Sequence, residues 1–288
     1  MAVLPRTIPT IDVHGTAVPR LGFGTWRLSG QACQEAVSAA LRIGYRHIDT
    51  ASMYENEEHV GAALAASGLA RDRLFVTTKV WRDDLRRDAF LRSAEASLRR
   101  LKLETVDLLL IHWPNADIPL SETMDALNEA KRRGLTRHIG VSNFPITLLN
   151  QATKLSSEPI FANQCEYHPG LDQSALIAAC RERGAAFVSY RPLGQGKDLD
   201  HSTIREIAQA HGKTPSQVVL RWHMQQPGLI AIPRSANPEH ISENAAVFDF
   251  TLSDEEMRAI FALAAGGGRH VNPAFAPAWD TTPKEARS

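Results

Sequence analysis

The feature that most constrains this chain is a repeated unit: a short apolar run that ends in a polar or ionisable residue and leads into a helix-like stretch. The runs are Arg46–Ile48 ending at Asp49, Leu74–Thr78 ending at Lys79, Val106–Ile111 ending at His112, and His138–Val141 ending at Ser142 and Asn143. They continue with Ile160–Asn163 ending at Gln164, Ala186–Ser189 ending at Tyr190, and Leu229–Pro233 ending at Arg234. In a parallel barrel the C-terminal tips of all strands converge on one mouth, so residues distant in sequence become neighbours there. The pattern therefore predicts an α/β fold, a (β/α)8 TIM barrel, with one site assembled from many strands.

The intervening segments agree with this. Helical periodicity runs through Gln31–Ile43, Ala89–Leu101 and Ser174–Arg183, each with one apolar stripe for the sheet. Gly44, Gly68, Gly134, Gly184 and Gly212 fall where these helices should stop. Thr214-Pro215-Ser216-Gln217 and Ser253-Asp254-Glu255-Glu256 read as capping boxes at helix starts. Before the first unit, Thr7–Val13 and Thr16–Leu21 alternate around His14-Gly15, which predicts an N-terminal β-hairpin capping one barrel end. The segment from Arg191 to Asp198, rich in glycine, reads as a loop that closes over a ligand. The tail from Gly266 to Ser288 carries Phe275 and Trp279 and is expected to fold back across the mouth.

With 288 residues and 43% hydrophobic content, residues 1–288 are expected to form a single domain. Basic and acidic residues balance at 32 each, so no global field favours nucleic acid or an anionic membrane as a partner. The three cysteines Cys33, Cys165 and Cys180 make no disulfide framework, and no signal peptide or long apolar span is present. The expectation is a cytoplasmic protein, monomeric because no long exposed apolar stripe is evident. Cys165 has no obvious base beside it and reads as a small buried apolar residue. No close His-x-His or His-Glu-x-x-His spacing marks a metal site, which leaves a metal-dependent barrel hydrolase without support.

Asp49, Tyr54, Lys79 and His112 all lie at or just after neighbouring strand tips. A phenol is a poor acid at neutral pH unless a cation stabilises its phenolate, and Lys79 can be that cation with Asp49 as counter-ion. Tyr54 and His112 would then both hydrogen-bond a substrate carbonyl, with Tyr54 giving the proton as charge develops on oxygen. No side chain donates hydride, so a reduced nicotinamide is implied. Trp26, Trp81 and Trp113 lie just beyond strand tips and suit the walls of a pocket for carbonyl compounds of modest size. Trp222, on a helix face with Val218 and Val219, reads as core.

At this point the chain resembles the aldo-keto reductases along essentially its whole length. The resemblance rests on Gly44-Tyr45-Arg46-His47-Ile48-Asp49-Thr50-Ala51-Ser52-Met53-Tyr54-Glu55-Asn56-Glu57, Gly140-Val141-Ser142-Asn143-Phe144, Asn163-Gln164-Cys165-Glu166-Tyr167-His168-Pro169, and Ile232-Pro233-Arg234-Ser235 followed by Glu243-Asn244. It implies a barrel that uses NADPH, with Asp49, Tyr54, Lys79 and His112 as a catalytic tetrad. By the same carry-over, Ser142, Asn143 and Gln164 would hold the nicotinamide carboxamide and Tyr190 would stack on the ring. Leu193, Gly194, Gln195 and Gly196 look like the pyrophosphate loop. Arg234, Ser235 and Asn237, at a helix start with Pro238, would take the adenosine 2′-phosphate together with His240, and Glu243 and Asn244 complete that block. Here the chain departs from the family pattern, in which the first position is more often lysine and an arginine stands where His240 does. An imidazole grips a phosphate less firmly than a guanidinium, so NADPH is expected with appreciable use of NADH. The loop and tail look most like the bacterial diketogluconate reductase branch, which suggests keto-sugars and small α-dicarbonyls as substrates. A redox sensor that binds the cofactor with little turnover is the alternative.

Overall fold

The computed structural model describes residues 7–280. The chain opens with a hairpin of β1 (Thr10–Val13) and β2 (Thr16–Pro19), paired antiparallel. Its two turn residues, His14 and Gly15, have φ of 47° and 79°, as a tight turn matched to strand twist requires. There follow β3 (Phe23–Gly24), α1 (Gly30–Ile43), β4 (His47–Asp49), α2 (Glu57–Ala66), β5 (Phe75–Val80), α3 (Arg87–Leu101), β6 (Val106–Ile111) and α4 (Leu120–Arg132). The chain continues through β7 (Thr136–Ser142), α5 (Ile146–Leu155), β8 (Ile160–Glu166), α6 (Ser174–Glu182), β9 (Ala186–Tyr190), α7 (Ser202–His211) and α8 (Pro215–Gln225). It ends with β10 (Leu229–Ala231), α9 (Pro238–Ala245) and α10 (Asp254–Phe261).

Strands β3 to β10 form one parallel sheet of eight in strict sequence order. The sheet closes on itself where Leu21 bridges Ala231 in parallel, with Gly22 N donating to Ala231 O at 2.9 Å, Ala231 N to Arg20 O at 2.9 Å and Gly24 N to Pro233 O at 3.0 Å. Glycine is needed at this seam. A Cβ on Gly22 would lie 2.8 Å from the His47 ring, and one on Gly24 2.9 Å from the Ile232 carbonyl oxygen. The first barrel strand is only two residues long and has no apolar run to announce it, which is why the sequence shows seven tips rather than eight.

Two apolar layers result. Phe75, Leu108, Leu110, Phe161, Val188 and Ile230 fill the barrel interior, and Val13 and Val18 of the hairpin join that cluster, so the hairpin plugs the end opposite the mouth. Outside the sheet, the stripes of α1, α3 and α8 pack on the strands through residues such as Val37, Leu98 and Trp222, the last 1% exposed. Both expected capping boxes are present, with Gln217 N and Glu256 N donating to the Thr214 and Ser253 hydroxyls. Gly212 at φ 60° ends α7, its N–H bonding back to Ala208 and Gln209 carbonyls.

Candidate active site

The strand tips meet around a cavity of about 950 Å³. At its floor lies a buried ion pair. Lys79, at the end of β5 and fully buried, places Nζ 2.6 Å from Asp49 Oδ1 at the end of β4 and donates to Thr50 O at 2.8 Å. The second Asp49 oxygen accepts from Gln164 Nε2 at 2.7 Å, so the carboxylate is satisfied from both sides. Tyr54 is brought to this pair by a short 3-10 turn, Ser52–Tyr54. That turn is pinned by Ser52 Oγ donating to Lys79 O at 2.9 Å. Buried Asn56 holds it further, with Nδ2 donating to Thr25 O at 2.9 Å and Leu28 O at 2.8 Å and Oδ1 accepting from Thr50 Oγ1 at 2.8 Å. The Tyr54 oxygen ends 3.5 Å from Lys79 Nζ, and its ring stands 5.5 Å from that of His112, edge to face.

The electrostatics of the cavity differ in one respect from the sequence expectation. Burial pushes the Tyr54 phenol above its ordinary value, and the pull of Lys79 in the other direction does not overcome it. The phenol therefore holds its proton at rest. Burial disfavours the Lys79 ammonium, yet Asp49 and Tyr54 outweigh burial and keep it above its usual range. For His112, burial and then the Lys79 charge hold the ring well below 6.5, so it is neutral at pH 7. Its Nδ1 is buried without a partner among the described residues.

Around this floor the wall is aromatic. Trp26 lies 4.8 Å from the Tyr54 ring and Trp81 5.2 Å from His112, while Trp81 and Trp113 meet Phe275 edge to face at 5.9 and 5.5 Å. Phe275 arrives with the C-terminal tail, which does fold over the mouth and adds Val271, Asn272 and Pro273 to the lining. The tail is tied down where the Asp280 carboxylate accepts from Ile146 N at 2.9 and 3.1 Å, capping α5, which has no side-chain cap of its own. Trp279 stands outside the lining, packed on Trp113 at 6.0 Å with the Arg269 guanidinium 3.6 Å over its ring. Residues 281–288 of the tail lie outside the described residues.

Of the residues singled out for the cofactor, Asn143, Gln164, Tyr190, Leu193, Gln195, Gly196, Arg234 and His240 line the cavity. Asn143 is fixed, its Nδ2 donating to His112 O at 3.0 Å and its Oδ1 accepting from Tyr190 OH at 2.8 Å. Ser142, Gly194, Ser235, Asn237, Glu243 and Asn244 are not among the lining. Ser142 Oγ donates to Gln164 O at 2.8 Å. Asn237 caps α9 by accepting from Glu239 N at 2.8 Å, and Ser235 Oγ accepts from Asn237 N at 3.0 Å. The Glu243 carboxylate accepts from the Thr214 hydroxyl, and Asn244 is buried on α9. Sequence reasoning missed Thr25 and Met53 as lining residues, and it placed Arg191 and His270 only within a loop and a tail expected over the mouth. Arg191 had a signal, a cation directly after the Tyr190 tip, and its backbone takes a positive φ of 50° there. Cys165 is fully buried, its thiol donating to Asn163 Oδ1 at 3.4 Å and pushed up to about 12 by burial, far from a nucleophile's range.

Among the described residues no helix is long and apolar enough to cross a membrane. The model of the aldo/keto reductase family matches residues 20–265. Methylglyoxal reductase DkgB of Escherichia coli O157:H7 is 41% identical over 268 residues, covering 92% of this chain and all of that protein. A crystal structure assigned to 2,5-diketo-D-gluconic acid reductase B superposes with a TM-score of 0.93 at 45% identity, covering 96% of this chain and 98% of that one. An aldo-keto reductase of Bombyx mori, in complex with NADP, superposes with a TM-score of 0.84 at 34% identity, covering 90% of this chain and 93% of that one. On the barrel, the tip residues and the extent of these matches, the chain belongs to the aldo/keto reductase family.

Proposed function

We propose that the protein reduces small aldehydes, ketones and α-dicarbonyls, keto-sugars among them, to alcohols with NADPH. The observation that carries this reading is the buried Asp49–Lys79 pair set 3.5 Å from a protonated Tyr54, beside a neutral His112, at the floor of an aromatic cavity. Tyr54 gives its proton to the carbonyl oxygen as negative charge develops, and the Lys79 ammonium stabilises the phenolate left behind. Asp49 keeps Lys79 charged. His112, being neutral, donates a hydrogen bond without repelling Lys79. Trp26, Trp81 and Trp113 form the substrate pocket and orient the carbonyl against this pair.

The residues present fit a dinucleotide. Gly196, at φ 88°, faces open space where a Cβ would stand, so its backbone can approach an anion, and Arg191 and Arg234 supply cationic side chains to the same wall. Bound NADPH supplies hydride. Ser142, Asn143 and Gln164 would hold its carboxamide, Ser142 by orienting the other two, and Tyr190 would stack on its ring. Residues 193–196 would take the pyrophosphate. Arg234, Ser235, Asn237 and His240 would take the 2′-phosphate, with Glu243 and Asn244 supporting α9 from behind. With imidazole in place of a guanidinium at His240, NADH use is appreciable. The same reading takes the chain as one domain and a monomer in the cytoplasm that binds no nucleic acid. The named relative is a reductase, which gives the redox-sensor alternative no support.

The test is a spectrophotometric screen of NADPH and NADH oxidation with glyoxal, methylglyoxal, 2,5-diketo-D-gluconate and simple aldehydes. Carbonyl-dependent oxidation, faster with NADPH, is expected. A protein that binds NADPH but oxidises it no faster with any of these compounds would sink the proposal.

A further inference from the structure

Beyond the tips already assigned, the most highly charged buried group in the barrel mouth is built on His168, just after β8. We propose that His168 is a positioning residue that couples the loop over the cofactor site to the C-terminal tail over the substrate site, so that the two coverings of the mouth loosen together. The proposal rests on the reading of the cavity as a carbonyl reductase site for what each covering covers.

The side chain is fully buried and faces a carboxylate at each nitrogen: Nδ1 lies 2.7 Å from Asp198 Oδ2, and Nε2 lies 3.3 Å from Glu166 Oε1, both as ion-pair contacts rather than aligned hydrogen bonds. Each carboxylate holds a different segment. Asp198 belongs to the 3-10 turn Gly194–Asp200, which supplies Gln195, Gly196 and Leu199 to the cavity. It packs against Gly194, where a Cβ would fall 2.3 Å from Asp198 Oδ2, so a larger residue at that position would push the carboxylate aside. Glu166, fully buried, accepts from His270 N at 2.8 Å and from Val271 N at 2.9 Å, and so anchors the start of the tail segment that carries Asn272, Pro273 and Phe275 to the substrate wall. The His270 ring also stacks on His168 at 4.4 Å.

The coupling follows from imidazole chemistry. A neutral ring carries no charge to attract either carboxylate, whereas the protonated ring attracts both. The charged ring thus draws Asp198 of the loop and Glu166, which anchors the tail, to one point, and losing either carboxylate weakens the charge that holds the other. Burial alone would lower the His168 value, but Asp198 and Glu166 outweigh it and raise it, while both carboxyls are held below their ordinary range. Other groups bear on the site from each neighbouring element: Arg269, 3.9 Å from Glu166, and His270 on the tail, Lys197 on the loop, and neutral His223 on α8. Because the folded value of His168 is raised, the latch is complete below the unfolded-chain value and is lost as pH rises through the folded one.

Hydrogen exchange by mass spectrometry on the cofactor-free protein tests this without any activity readout. Glu166→Gln should speed exchange in residues 194–200, which it does not touch, and Asp198→Asn should speed it in residues 269–273, each by about tenfold, the size of an ordinary coupling between sites. In the unsubstituted protein, exchange of both segments relative to a core strand should rise in step as pH is raised above neutral. Acceleration confined to the substituted arm, or loop and tail loosening at different pH, would overturn the coupling. As a second readout, NADPH release should quicken in Glu166→Gln. Failure of the parent to bind NADPH at all would strike the functional reading instead, leaving the exchange pattern to decide this one.

Discussion

Replacing Lys79 by methionine tests the charge arrangement on which proton donation depends. Methionine keeps the unbranched stem and removes the ammonium. Asp49, with its side chain 2% exposed, then loses its 2.6 Å partner and keeps only the Gln164 amide at 2.7 Å. One neutral donor does not offset the desolvation of a carboxylate, and breaking a buried ion pair on one side typically costs about 3–5 kcal/mol. In the double variant Lys79→Met/Asp49→Asn no charge remains to strand, so most of that loss should return, with a coupling energy of about 2 kcal/mol or more. Urea unfolding followed by tryptophan fluorescence, with linear extrapolation, measures both numbers. Neither variant should reduce carbonyls at more than a trace of the parental rate, since Tyr54 loses the cation that stabilises its phenolate. A single variant destabilised by less than about 1 kcal/mol, or a double no more stable than the single, would refute the claim that the pair is mutually dependent.

Tyr54→Phe should lower kcat by about 10²- to 10⁴-fold, the usual contribution of a general acid. It should barely change NADPH affinity in a fluorescence titration, because the ring remains and the hydroxyl that is lost bonds Lys79 alone among the described residues, and turnover within a few-fold of the parent would reject the assignment. His240→Arg should raise the ratio of NADPH to NADH efficiency, measured as kcat/KM for each; an unchanged ratio removes His240 from the 2′-phosphate site. Burial holds His47 and His223 at about 4 in the folded protein, so the unfolded chain binds protons that the native state refuses. Their contribution is complete above 6.5 and is lost as pH falls towards 4, with a slope of up to about 1.4 kcal/mol per unit for each. Urea midpoints that stay flat between pH 7 and 5 would contradict this. The buried thiols Cys33 and Cys165, pushed up to about 11 and about 12, should react with a disulfide reagent only after unfolding.

Most of the site could be read from the chain because barrel chemistry is written at strand ends. Asp49, Lys79, His112 and Gln164 each follow an apolar stretch, and the topology does the rest by bringing those ends together. Local signals were equally legible where a side chain bonds its own neighbourhood, as in the capping boxes at Thr214 and Ser253. Long-range polar partners were not. Nothing in the sequence links Glu166 to the backbone of residues 270 and 271, about a hundred positions away, or assigns Asp280 to the end of α5. Strand β3 was hidden because two residues carry no periodicity, and its place is set by the seam with β10. The direction of the Tyr54 shift also escaped, since it depends on how far burial outweighs a cation, and burial is a property of the packed mouth alone.

The valines of the N-terminal hairpin stop up the lower end of the barrel, and that makes the catalytic chamber a cul-de-sac. Whatever enters past the tail and loop must leave by the same doorway, so traffic runs last in, first out. A cofactor seated deeper than its substrate would be the first to arrive and the last to depart, an ordering imposed by a hairpin of two four-residue strands and the packed interior above it rather than by any group at the reacting centre.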